Sequence, residues 1–280
     1  MTLDDLFQRS LALPVLPQVV QQLLASFQSE DLRADQLAHL IGQDQVLSAK
    51  LLRLANSAHY QRPQAISTLH QAVQLLGWVN VRTLVISVGL MSCCPQLPAD
   101  WSKRFWQHNL RCAVAARHWA GLAGADPELA YLLGLLQGLG MLPMRLAEPE
   151  LMAKLDAQTS PFELQRWVCE RLTLGYAYTD ASAKLTAHWQ LPAVFAQVLS
   201  LVAEPAGSTA LAKDSAPVRW AGLVQLAVWR AQVSEGAAPA QLQAAWPRAM
   251  AVQAGLPETA ESIDLASWET MGPELMVLLG

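Results

Sequence analysis

Charge is scarce in this sequence: Asp, Glu, Lys and Arg make up 15% of its 280 residues, against roughly 25% in an average soluble domain. A disordered chain needs far more charge and fewer aliphatics, and with 52% hydrophobic residues this one folds around a core. Basic runs are absent and the formal net charge is −4, so the electrostatic footprint of a nucleic-acid binder is missing. Cysteine is sparse as well. Cys93, Cys94, Cys112 and Cys169 form neither a CxxC pair nor a disulfide-like spacing, which points to reduced thiols in a cytoplasmic protein. No phosphate-cradling GxxxxGK[ST] or GxGxxG, no GxSxG, no HExxH and no His-Asp dipeptide occurs, so nucleophile, phosphate and metal chemistry lack their usual signals.

Two apolar runs are long enough to raise the question of a membrane. Leu185–Ala203 carries no Asp, Glu, Lys or Arg, but Pro192 interrupts it beside Gln190 and His188. Leu129–Met144 is broken by Gln137, three glycines and Pro143. Both are expected to be core helices, with no membrane insertion. Met1–Asp5 carries two acids and no basic stretch, unlike a signal peptide.

Helical periodicity dominates what is present. Pro17 opens a segment with Val19, Val20, Leu23, Leu24 and Phe27 on one face. Leu37, Leu40 and Ile41 mark a short helix ending at Gly42. Asp44 is then the expected N-cap of a helix striped by Leu47, Leu51, Leu54, Ala55 and Ala58. Ser67 is expected to cap the next, which ends at Gly77 in a left-handed turn, and Asn80 to start a fifth. Two prolines within Cys94–Asp100 mark a boundary between a bundle over residues 1–95 and a second subdomain over 100–280. There the pattern predicts helices over 101–123, 127–142, 161–174, 178–189, 192–202 and 218–232, with Asp126 and Ser160 as caps. Residues 204–217 read as a loop, and 238–254 and 273–279 as weaker helices. The glycines Gly134, Gly138 and Gly140 lie in a leucine-rich helical stretch, where they permit close helix packing or a kink.

The six histidines are scattered. His108 and His118 lie ten residues apart in one predicted helix, on roughly the same side but about 15 Å apart along its axis, too far to share an ion. Ala34–Asn56 has the outline of a helix-turn-helix, but the second helix offers only Lys50 and Arg53 among leucines, so two packed bundle helices are expected.

The order of short segments in the first half is more specific. Leu13-Pro14-Val15-Leu16-Pro17, Ile41-Gly42-Gln43-Asp44, Leu51-Leu52-Arg53-Leu54-Ala55-Asn56-Ser57-Ala58, Tyr60, Ile66, and Ala72-Val73-Gln74-Leu75-Leu76-Gly77 with Arg82 together resemble the HDOD family, the HD-related output domains of bacterial signalling proteins. The resemblance covers roughly residues 10 to 205 and implies an all-α fold, an N-terminal bundle packed on an HD-like helical subdomain. Structural roles are expected for Gln43, Asp44, Asn56, Ser57, Gly77 and Arg82: capping for the polar residues at helix ends, and an acid or helix-end partner for Arg82.

Catalytic HD phosphohydrolases hold metal with a histidine, a His-Asp dipeptide and a further aspartate. His108 resembles the first histidine, while Gln137 and Gly138 stand where the dipeptide would be, and Tyr178 where relatives often carry histidine. Val202-Ala203-Glu204-Pro205 lacks a common His-His pair, and Leu226-Ala227-Val228 offers no aspartate. A divalent ion does not leave its water shell for neutral or absent ligands. The expected function is therefore a non-catalytic signalling module, a pseudoenzyme with no cofactor and no metal, that contacts signalling proteins. A degenerate pocket at His108, Gln137, Gly138 and Tyr178, or a groove between the subdomains, is the expected contact or small-ligand site, while most of the ten tryptophans are expected in the core. The alternatives are a phosphohydrolase of nucleotides or cyclic dinucleotides with an unorthodox site and, less favoured, a DNA-binding regulator.

Overall fold

The structure, a computed structural model, describes residues 2–8, 13–25, 34–56, 65–163, 165–204, 215–234 and 246–257. All regular structure among them is α-helical. The first half holds α1 Leu3–Gln8, α2 Gln18–Ala25, α3 Ala34–Gly42, α4 Gln45–Ala55, α5 Leu69–Leu76 and α6 Trp78–Met91. The second holds α7 Ala99–Leu122, α8 Pro127–Leu136, α9 Met141–Ala147, α10 Pro149–Gln158, α11 Arg166–Leu174, α12 Tyr178–His188 and α13 Ala193–Leu199. Two further helices complete it, α14 Ala216–Ser234 and α15 Arg248–Gln253. The expected Ser57 and Tyr60, the 238–245 part of one weak helix and the 273–279 helix lie outside the described residues.

Local chemistry explains most of the boundaries. Asp44 caps α4 by accepting from the Val46 and Leu47 amides at 2.9 and 3.0 Å. Asp126 does the same for α8, followed by Pro127 in the first turn. Other boundaries differ from the sequence reading. Thr68, not Ser67, caps α5, because Thr68 and Gln71 close a reciprocal capping box. Helix α6 starts at Trp78 rather than Asn80, directly after Gly77. Gly77 has a positive φ of 79°, but its ψ of 143° is extended rather than left-handed helical, so α5 and α6 meet at a bend of 113°. The stretch read as one helix over 127–142 breaks into α8 and α9 around a turn at 137–140. Pro161 lies in a turn and α11 begins at Arg166, while α10, opened by Pro149, and the short α1 carried too few apolar residues to be read.

A single core runs through both halves, from Leu6 to Val224, passing without interruption across the Cys94–Pro98 break. Helix α1 belongs to the first half by sequence but packs on the second: Phe7 lies edge-on to His188 at 6.3 Å, and Lys184 pairs with Asp4. The Trp189 indole N–H donates to the Pro14 carbonyl at 3.1 Å. Among the described residues Pro127–Ala147 is long and apolar enough to cross a membrane, with 83% of its apolar window buried in the protein, and α5 with α6 reaches that length only across their 113° bend. A second cluster built on Trp119, Trp229 and the flanking Trp246 joins α14 and α15 to α7. Of the nine described tryptophans, five are buried and four are half-buried, so none stands out as an exposed anchor.

Helix α8 approaches α7 most closely at Gly134, where an added Cβ would lie 2.7 Å from the Cys112 carbonyl oxygen and 2.9 Å from the Ala113 Cα. Both obstacles are backbone and cannot rotate away. Gly134→Ala gains about 1 kcal/mol of helix propensity but overpacks at a cost of about 1–3 kcal/mol. It is expected to lower the urea midpoint without changing the slope.

Candidate functional site

Helix α7 presents His108, Asn109 and Cys112 to the turn that follows α8. One helical turn separates His108 from Cys112, and the Cys112 Sγ lies 3.5 Å from His108 Nε2. The Gln137 amide donates to Asn109 Oδ1 at 3.0 Å and approaches the Cys112 sulfur at 3.9 Å, while Asn109 donates to the Phe105 carbonyl at 2.8 Å. Gly138 leaves the space that Asn109 fills: a Cβ there would fall 2.6 Å from Asn109 Oδ1. Gly140 meets α12 backbone to backbone, its amide donating to Ser182 Oγ at 2.7 Å. Ser182 Oγ also lies 2.7 Å from the Gln137 carbonyl and 2.8 Å from the Tyr178 carbonyl.

His108, Gln137, Gly138 and Tyr178 are thus brought to one region, and all are buried. The Phe162 ring covers His108, with centroids 4.8 Å apart and planes 22° from parallel. Burial, with Glu170 and Cys112 adding to it, pushes the Tyr178 phenol well above its ordinary range, so it stays neutral. His118, in contrast, is exposed, because ten residues fall roughly 80° short of whole turns and place it on another face of α7. Asn109, Cys112, Phe162 and Ser182 were not singled out in the sequence; Asn109 was signalled only by following His108.

A catalytic divalent ion does not fit this donor set. Gln137 is a neutral amide already bonded to Asn109, Gly138 has no side chain, Tyr178 is held neutral, and His108 sits against Cys112. The orphan acceptor is Gln137 Oε1, which has no hydrogen-bond donor among the described residues. One neutral donor such as water satisfies it, whereas a dication needs anionic ligands to offset its dehydration. No group of three His, Cys, Asp or Glu among the described residues converges on a common point.

Beside this cluster lies a chain of charges, half-buried at one end and fully buried at the other. Arg145 on α9 reaches over the Trp101 ring at 4.5 Å and pairs with Asp156 of α10 at 2.6 Å. Asp156 also takes Arg166 of α11 at 2.9 Å. Arg166, fully buried, donates to the Thr159 carbonyl and to Glu170 Oε1 at 3.1 Å. Glu170, also fully buried, accepts the Tyr178 amide on Oε2 at 2.7 Å. Burial pushes the Glu170 carboxyl up to about 7, with the Tyr178 amide and Arg166 pulling against it. Only the i, i+4 spacing of Arg166 and Glu170 signalled this pair in the sequence.

The signature residues take structural positions. Asn56 closes α4 by donating to the Leu52 carbonyl at 2.8 Å, and it binds both the Ile66 carbonyl and the Ile66 amide at 2.8 Å. It therefore acts as a two-sided clamp on a segment ten residues later. Gln43 is exposed in the turn between α3 and α4. Arg82 is buried over the Trp78 ring at 4.6 Å, in the field of Glu128 and Asp126. Glu128 itself accepts Thr83 Oγ1 of α6 at 2.8 Å and Arg117 of α7 at 2.9 Å, which ties the two halves together. A shallow groove lies between α4 and α6 inside the first bundle, lined by Leu47, Leu51, Leu54, Leu84, Val85 and Val88 with Lys50 beside them.

An all-helical bundle joined to an HD-like helical scaffold is the class this fold defines. The HDOD domain model matches residues 13–205, and the chain belongs to the HDOD family. A Shewanella amazonensis structure, named provisionally as a phosphohydrolase, is similar at 26% identity over 98% of each chain, with a TM-score of 0.76. A Geobacter sulfurreducens HDOD domain protein of unknown function shares the fold at 20% identity, 99% of this chain and 96% of that one, and a TM-score of 0.75. A Marinobacter aquaeolei protein, named provisionally for signal transduction, shares it at 22% identity, 100% of this chain and 61% of that one, and a TM-score of 0.76. An uncharacterised Treponema pallidum protein is 26% identical over 182 residues, 64% of this chain. The chain spans 35% of the length of that relative.

Two substitutions test the site. Arg166→Met removes the cation shared by Asp156 and Glu170, so that the buried Glu170 carboxyl takes up a proton, and is expected to cost about 3–5 kcal/mol. Adding Glu170→Met returns at least about 1 kcal/mol of that in the same denaturation experiment, because no polar carboxyl remains buried without its partner. Asn56→Ala is expected to cost about 1–2 kcal/mol and to raise the hydrogen-exchange rate of the Ile66 amide.

Proposed function

We propose that this chain is a non-catalytic signal-transduction module, soluble and cytoplasmic, that acts by binding other signalling proteins. One observation carries the reading: Gln137 and Gly138, which the sequence resemblance sets where a His-Asp dipeptide would be, are packed into a buried cluster with Asn109, Cys112 and Ser182. Packing of this kind specifies a rigid interior, whereas hydrolysis needs a water-accessible ion with open coordination positions. Membership of the HDOD family supports a signalling role. The net charge of −4 and an α4 whose apolar stripe is buried in the bundle speak against nucleic acid as the partner.

The competing reading, a metal-dependent phosphohydrolase, draws on the provisional name of the Shewanella amazonensis neighbour. The two separate in one assay. Purified chain supplied with Mn²⁺, Fe²⁺ or Mg²⁺ and with nucleotides or cyclic dinucleotides is expected to retain no stoichiometric metal and to give no product. Turnover that tracks bound metal and is lost in His108→Ala would overturn the non-catalytic reading. Restoring the dipeptide as Gln137→His with Gly138→Asp is expected to confer neither metal nor turnover. The new side chain at 138 instead collides with Asn109 and lowers stability by about 1–3 kcal/mol.

A further inference from the structure

Glu170 does more than complete an ion pair. The chain Arg145, Asp156, Arg166, Glu170 alternates in sign, and its members differ in exposure. Asp156 retains partial access to water, whereas the Arg166 and Glu170 side chains are essentially dry. Each oxygen of Glu170 accepts an N–H from a different helix: Arg166 Nε of α11 on Oε1 and the Tyr178 amide of α12 on Oε2. Tyr178 is the first residue of α12, and its amide is one of the donors that a helix leaves unsatisfied at its start. The carboxylate of a neighbouring helix thus caps α12 and meets the positive end of its dipole. The other cap at this end is local, the Ala177 amide donating to Asp180 at 2.8 Å. One turn into α12, Ser182 joins the Gln137 carbonyl and the Gly140 amide. The first turn of α12 therefore lies between Glu170 and the closed cluster around Gln137.

We infer that Glu170 is a proton-operated latch, which in its ionised form fastens the first turn of α12 to α11 and on protonation weakens its hold on the Tyr178 amide, loosening the Ser182 link to Gln137 and Gly140. The groups facing Glu170 among the described residues are Arg166 on its own helix, Asp156 on α10, Tyr176 in the preceding loop, and the Tyr178 amide and phenol on α12. Burial pushes both phenols up, that of Tyr176 to about 12, so neither changes charge near neutrality. Asp156 is held by two arginines. Glu170 is then the member of the cluster that changes charge in this range, because desolvation disfavours its anion. A charge-assisted N–H···O⁻ bond is roughly twice as strong as its neutral counterpart, so protonation weakens the link to Tyr178. This latch does not rest on the protein being non-catalytic.

The test is an NMR titration of the intact chain from pH 5 to 9, following the Glu170 side-chain carboxyl carbon and the Tyr178, Gly140 and Ser182 amides. The carboxyl is expected to titrate with a midpoint near 7. The Tyr178 amide proton moves upfield on the acid side with the same midpoint, and Gly140 follows. In Glu170→Gln that step is absent. A carboxyl with no step in this range, a Tyr178 step that survives in Glu170→Gln, or a Gly140 amide indifferent to the Glu170 step would each overturn the latch. If Glu170→Gln does not fold, the carboxyl and amide titrations of the unaltered chain decide alone.

Discussion

At Gly134 the backbone of α8 runs against Cys112 and Ala113 of α7 with no room for a Cβ, and the second half of the molecule is arranged around that approach. Because the two helices touch through backbone, their register is set to within the width of an atom. Asn109 and Cys112 then meet Gln137, and the turn at 137–140 delivers the Gly140 amide to Ser182. Close-packed interiors do not deform gradually. The same contact that builds the scaffold therefore decides what surrounds Gln137 and Gly138.

A metal site and a packed core cannot share one volume. A hydrolytic centre keeps space, water and anionic ligands. Here the space is filled by Asn109 under Gly138, and the Phe162 ring lies over His108. Charge has not vanished from the neighbourhood. It sits one layer away, in the Arg145–Asp156–Arg166–Glu170 chain that joins α9, α10 and α11 to the start of α12. Buried ion pairs are weak evidence for stability, because desolvation offsets much of their attraction. Their effect here is positional, since every bond except the Arg166–Glu170 pair within α11 joins one helix to another.

The two halves are integrated rather than merely adjacent. Glu128 takes donors from α6 and α7, Trp189 reaches Pro14, and Phe7 of α1 lies against His188. Helix α12 and the loop after it therefore touch the N-terminal segment as well as Gln137. Such contiguity is what a signalling module needs if an event in one half is to be read in the other.

The helical class, the Asp44 and Asp126 caps, the close-packing role of Gly134, Gly138 and Gly140, and the missing His-Asp pair were legible in the sequence. Each depends on residue types within one or two turns of each other, where periodicity and capping act. The clamp from Asn56 to Ile66 was half legible: the helix-end role could be read, but not the partner ten residues on. The exposure of His118, the burial of His108 under Phe162, and the Glu170 bond to the Tyr178 amide appeared only in the folded chain. Burial, desolvation and pairing are properties of which helices meet, and a linear pattern carries no measure of that.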